Sequence, residues 1–154
     1  MKLELKSVKT SKLSSHETVC FQAVLWVNGK PAFWIENEGW GASNNVRKAP
    51  GTSCDVTLDE INAFCKTLRP PQVINGIELP HDLDMWVDLE LIRREQTTRS
   101  KRLLSKHRIY RTKAGELMTC ALTIPIERIM NRHPDCQIIT EPSVLCGFLM
   151  EGVA

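Results

Sequence analysis

His133 and Cys136 stand three residues apart, the His-x-x-Cys spacing that half of a zinc site would use. A structural zinc needs a second closely spaced pair of ligands. The six cysteines, at 20, 54, 65, 120, 136 and 146, contain no Cys-x-x-Cys pair to supply one. A nucleophilic thiol, Cys136 or Cys20 with one of the four histidines, would want a local feature that depresses its pKa, and none is written nearby. Asp84 and Asp88 lie one helical turn apart and Asp59 adjoins Glu60, so either pair could hold a cation. Acids at helix starts ordinarily complement the helix dipole instead. Asn37-Glu38-Gly39-Trp40-Gly41 is only loosely like a phosphate-binding loop. It lacks the Gly-x-x-x-x-Gly-Lys order, and the next helix pattern starts sixteen residues after Gly41. No catalytic set, cofactor or metal is therefore expected.

Charge is the stronger signal. From Arg93 to Lys113 there are six Arg and three Lys against the single acid Glu95, about +8, in a chain whose net charge is +2. Arg93, Arg94, Arg99, Lys101, Arg102, Lys106, Arg108 and Arg111 are the candidate contacts to phosphates or to an acidic protein face, with His107 and Lys113 beside them. Tyr110 is a candidate for stacking on a base. The plainer reading is a solvated helix end. Trp26, Trp34 and Trp40 fall within fifteen residues. The first two fit a sheet core with paired indole N–H groups, whereas Trp40, flanked by Gly39 and Gly41, is the candidate partner contact.

The elements that must position these residues give an α+β pattern: one domain over 1–154, with an antiparallel sheet built on an N-terminal hairpin and two or three helices packed on it. Residues 2–9 suggest a strand in which Val8 breaks alternation. Residues 18–27 and 31–36 form a hairpin about Asn28-Gly29, whose type I′ turn needs positive φ twice. That register sets Val27 against Lys30, Trp26 against Pro31, Val24 against Phe33 and Ala23 against Trp34. Residues 37–53 read as a long loop that closes an N-terminal sheet region at about 1–50. Thr57 to Glu60 is a capping box opening a helix with the stripe Leu58, Ile61, Cys65 and Leu68, stopped by Pro70-Pro71. Asn75-Gly76 marks a small hairpin or a plain loop. A long helix over 83–106 carries Met85, Leu89, Ile92, Gln96 and Leu103 as its buried stripe, with Trp86 and Leu104 assisting. Strands at 108–112 and 116–123, a short helix at 124–133, a strand at 137–140 and an apolar terminal helix complete a helix and second-hairpin region over about 57–150.

A hydrophobic share of 42% with 25% charged residues is a globular average and argues against disorder. No apolar run reaches the ~20 residues of a membrane span, and the alternating start MKLELKSVKT is unlike a secretory signal. A cytoplasmic protein without a membrane partner, its thiols free and mostly buried, is expected.

Lys2-Leu3-Glu4-Leu5-Lys6-Ser7-Val8-Lys9, Ser15-His16-Glu17-Thr18, Phe21-Gln22-Ala23, Val27-Asn28-Gly29-Lys30 and Asn37-Glu38-Gly39 together resemble small proteins of phages, prophages and other bacterial mobile elements. Leu83 to Glu90 and Lys106 to Arg111 are similar to that group in layout. Ala42 stands where a further glycine is expected after Gly41, so no loop role is carried over, and the group offers no catalytic residue to transfer. The resemblance implies a non-enzymatic accessory protein of the counter-defence kind, anti-CRISPR inhibitors included, whose partner is a host protein, a nucleoprotein complex or nucleic acid. The alternatives are direct nucleic-acid binding, a small enzyme with dispersed Cys and His, and an assembly component. In the last, the apolar tail Val144 to Met150 docks on a partner or on a second copy in a homo-oligomer.

Overall fold

The computed structural model describes residues 1–74 and 76–151 (the side chain of Ile74 excepted). It divides into two compact units, Met1–Glu90 and Leu91–Ala154.

The first unit is organised by a four-stranded antiparallel sheet in the order β1 (Leu3–Ser11), β2 (Cys20–Val27), β3 (Lys30–Asn37), β4 (Asn45–Lys48). Asn28 (φ 51°) and Gly29 (φ 81°) turn β2 into β3 as the Asn-Gly pair demands. Val27 pairs with Lys30 and Trp26 with Pro31, as expected. A bulge then shifts the register by one, so Leu25 faces Phe33, Val24 faces Trp34 and Ala23 faces Ile35. The expected pairs Val24–Phe33 and Ala23–Trp34 are thereby corrected. The extra residue makes Ala32 and Phe33 consecutive buried positions and reverses the facing of all that follows in β3. Phe21, Ala23, Leu25 and Val27 join Phe33 and Ile35 in the core, with Leu5 from β1. A second irregularity lies at Ser7 (φ 52°), between Lys6 and Lys9, and explains why Val8 breaks the alternation of β1.

The span 37–53 is not wholly a loop, because β4 pairs Val46 with Ile35 and Arg47 with Trp34. A four-residue strand with one apolar side chain is a short polar edge, with almost no periodic signature. α1 (Leu58–Leu68) opens on Thr57. Its hydroxyl accepts from the Glu60 N–H while the Glu60 carboxylate accepts from the Thr57 N–H. Ile61 and Cys65 are its buried stripe, and Leu68 ends up exposed. β5 (Gln72–Ile74) and β6 (Ile77–Leu79) pair antiparallel, so the small-hairpin reading holds there, although Asn75 lies outside the described residues.

α2 (Leu83–Lys106) has the expected bounds and starts on Asp82, whose carboxylate accepts the Met85 N–H. Its deepest positions are Leu83, Val87 and Leu91, spaced four apart, and then Ser100. Met85, Leu89, Ile92, Gln96 and Leu103 are only half-buried, so the stripe is corrected.

In the second unit α2 runs straight into β7 (His107–Arg111). This is the central strand of a sheet ordered β8 (Leu117–Ala121), β7, β9 (Gln137–Ile139). α3 (Ile126–Arg132) precedes β9, and α4 (Pro142–Met150) follows it. Ile109 pairs with Ile139, and with Leu145 of α4 they form a buried cluster. Leu103 and Leu104 of α2, Leu117, Phe148 and Leu149 pack against it. Strand alternation turns Tyr110 to the opposite face, where α3 buries Ile129. The apolar tail is thus taken up by its own sheet. Among the described residues, no helix is long and apolar enough to cross a membrane.

Candidate functional site

The second unit concentrates the cations. Eleven of the twenty Lys and Arg but six of the eighteen Asp and Glu fall in Leu91–Ala154. By difference that unit carries +5, and Met1–Glu90, with nine cations and twelve acids, carries −3.

The structure sorts the predicted contacts by what they already hold. Arg99, Lys101, Arg102 and Lys106 are exposed on α2, and among the described residues no ion pair engages them. At 3.6 residues per turn, Arg99, Arg102 and Lys106 share an arc of about 60°, with Arg94 about 80° and Lys101 about 100° round from Arg102. Arg93 and Arg94 are exposed as well but already have partners.

The basic strand is different. Arg108 is half-buried and donates from Nη2 to the Leu122 carbonyl at 3.0 Å, fastening the turn after β8. Arg111 lies over the Phe148 ring at 4.3 Å. It also donates to the Gly115 carbonyl at 3.2 Å and pairs with Glu151 at 3.3 Å. Lys113 pairs with Asp135 at 3.2 Å. Tyr110 is 7% exposed with its ring 5.4 Å from that of His133, so it offers no open face to a base. Alternation along β7 is the reason: from Ile109 to Arg111 the strand is paired on both edges and its residues turn toward one packed face or the other. Arg108, Arg111 and Tyr110 are thus engaged within the fold, and the more open cations are those of α2.

Trp40, the partner contact expected from the sequence, lies on the surface. It is 65% exposed and stacks on His16, ring centroids 4.0 Å apart at 16°. The loop that presents it is tied from beneath by buried Asn37. Its Oδ1 accepts from Gly39 N–H and the Thr18 hydroxyl, both at 2.8 Å; its Nδ2 donates to the Ala42 carbonyl and to Asn44 Oδ1. The Gly39 carbonyl accepts the N–H groups of His16 and Glu17 at 3.0 Å. Gly39 has φ 91°, and a Cβ there would run into the Ser14 carbonyl oxygen. Leu13, in the adjoining turn, is 95% exposed. Trp40 is thus exposed on a loop tied by hydrogen bonds and stacked on one neighbouring ring. The part played by His16 had no sequence signal, because twenty-four residues separate the two rings.

Trp26 and Trp34 do not join this site and are not core. They lie on the outer face of the sheet, with the Lys6 ammonium 3.7 Å above Trp26 and the Arg47 guanidinium 5.4 Å from the Trp34 ring.

A second concavity lies between α3 and the sheet, a groove of about 550 Å³ lined by Tyr110, Cys120, Ile124, Arg128, Ile129, Asn131, Arg132 and His133. The i,i+4 spacing of Arg128 and Arg132 was visible in the sequence; the groove under them was not.

All six thiols are free. Cys54, Cys65 and Cys146 are buried, and burial, with Asp82 nearby, pushes the Cys65 thiol up to about 11. His133 and Cys136 form a turn, the Cys136 N–H donating to the His133 carbonyl at 3.0 Å. Among the described residues, no three of His, Cys, Asp and Glu converge on a point that could hold a metal ion. Asp84 and Asp88 have carboxyls raised above the usual range, chiefly by desolvation. Asn44, donating to Asp84 at 3.0 Å, partly offsets this at Asp84.

No protein-family model, no curated protein and no solved structure matches this chain.

Proposed function

We propose that the chain is a non-enzymatic binding protein that engages a polyanionic surface, of a nucleic acid or a nucleoprotein complex, through the exposed cations of α2. The observation that carries the reading is the segregation of charge: +5 on the second unit, with Arg99, Lys101, Arg102 and Lys106 exposed in its helix. The resemblance to mobile-element proteins supplies a context, an accessory protein that occupies and blocks a host defence or nucleic-acid-processing complex. A second reading, a protein partner met first by Trp40, is favoured by the tied loop and the neighbouring exposed Leu13.

The test is affinity capture from bacterial lysate with and without nuclease, followed by binding of the Arg99→Ala/Arg102→Ala/Lys106→Ala variant at two salt concentrations. Affinity for the captured polyanion should fall steeply with salt, and the variant should flatten that dependence by about three contacts without a change in its melt. Capture that survives nuclease and depends on Trp40 alone would move the function to the loop. Loss of neither would sink both readings.

A further inference from the structure

We infer that the groove between α3 and the β7–β8 face is a binding site for a nucleoside 5′-monophosphate, free or as the phosphorylated end of an oligonucleotide. It lies on the opposite side of the sheet from the helix α2, so it is independent of the function proposed above.

Three observations converge on this ligand. The groove, about 550 Å³, is within the range of small-molecule sites. Its floor is apolar and aromatic: Ile124 and the His133 ring line it half-buried, and Ile129 and Tyr110 lie buried beside them, the Tyr110 ring covered by that of His133. A base has a flat face to lay on such a floor. Its rim is cationic, with Arg128 and Arg132 one turn apart on α3, and no carboxylate lines it. Among the described residues, neither guanidinium makes a hydrogen bond or ion pair. The two arginines of β7, Arg108 and Arg111, have internal partners, whereas Arg128 and Arg132 of α3 line the groove without one. A planar guanidinium pair recognises a phosphate through parallel N–H donors, and Asn131 adds an amide. An acidic peptide would satisfy the rim but leave the aromatic floor unused.

Tyr110 is the single tyrosine of the chain, so a sample carrying labelled tyrosine gives one ring signal that reports on the groove. The full chain is titrated with adenosine 5′-monophosphate, adenosine, inorganic phosphate, and a short single-stranded oligonucleotide with and without a 5′-phosphate. The monophosphate should shift the Tyr110 signal saturably, with adenosine and inorganic phosphate each at least about tenfold weaker. Arg128→Ala/Arg132→Ala should weaken it by about tenfold or more with an unchanged melt, while Arg99→Ala/Arg102→Ala/Lys106→Ala leaves it as it was. Preference for the 5′-phosphorylated oligonucleotide over its unphosphorylated form, with no response to the free nucleotide, would support the site and identify its source as a strand end. Equal binding of phosphate and nucleotide, a response indifferent to Arg128 and Arg132, or no saturation by any probe would overturn it. Should the double alanine variant melt lower, Arg128→Lys/Arg132→Lys keeps charge without the planar fork and should still lose most of the affinity.

Discussion

Gly39 and Asp88 show how single positions carry the first unit. At Gly39 a left-handed backbone and the Ser14 carbonyl leave no room for a methyl group. Gly39→Ala should destabilise the chain by roughly 1–3 kcal/mol in urea unfolding and loosen the presentation of Trp40. Trp40→Ala, by contrast, removes an exposed ring and should leave the unfolding midpoint within about 0.5 kcal/mol of the parent. Asp88 is exposed, yet its carboxyl is raised by desolvation first and then by Asp84 and Asp82. A carboxyl raised in the folded state holds its proton more tightly folded than unfolded. Its contribution to stability therefore falls as pH rises through that window and is fully unfavourable above the raised value. Asp88→Asn should melt above the parent at pH 7, with the margin closing as pH drops below about 4, the ordinary aspartate range. A margin that does not change with pH would show that the carboxylate is not its source.

Among the elements, α1 and β7 respond to different forces. The start of α1 is held by the reciprocal hydrogen bonds of Thr57 and Glu60, so Thr57→Ala should cost about 1 kcal/mol in urea unfolding. β7 is held by pairing on both edges and by side chains that reach inward from both faces. Arg108→Ala should lower stability by about 1–2 kcal/mol, through loss of the bond to the Leu122 carbonyl, while leaving the salt dependence of binding unchanged. Replacing Arg102 should do the reverse. This contrast separates two arginines six residues apart that composition alone treats as equivalent. α4 closes the same unit from the apolar side, with Leu145 buried and the Thr97 hydroxyl meeting Cys146 Sγ at 3.4 Å.

For the molecule as a whole, six free thiols predict that the thermal midpoint is the same with and without reductant, and that native Cys65 resists alkylation at pH 8. Charge divides between the two units, −3 and +5, so the ionic-strength dependence of any partner complex reports which unit is engaged. The sequence by itself determined what depends on neighbours a few residues away: the Asn28-Gly29 turn, the Thr57–Glu60 cap, the extent of α2 and the crowding of cations after Arg93. Each is a local preference written in adjacent side chains, so each could be read without a fold. Only the tertiary structure decided what depends on partners far along the chain. The bulge at Ala32 turned Trp34 outward and Ile35 inward, because one extra residue reverses a period of two. The polar strand β4 exists because β3 presents an edge to it. Packing around β7 gave Arg108, Tyr110 and Arg111 partners inside the fold, and the folding of two distant turns against each other set His16 against Trp40. Net charge is a property of composition, but which charges remain open to a partner is settled by the contacts that the others make.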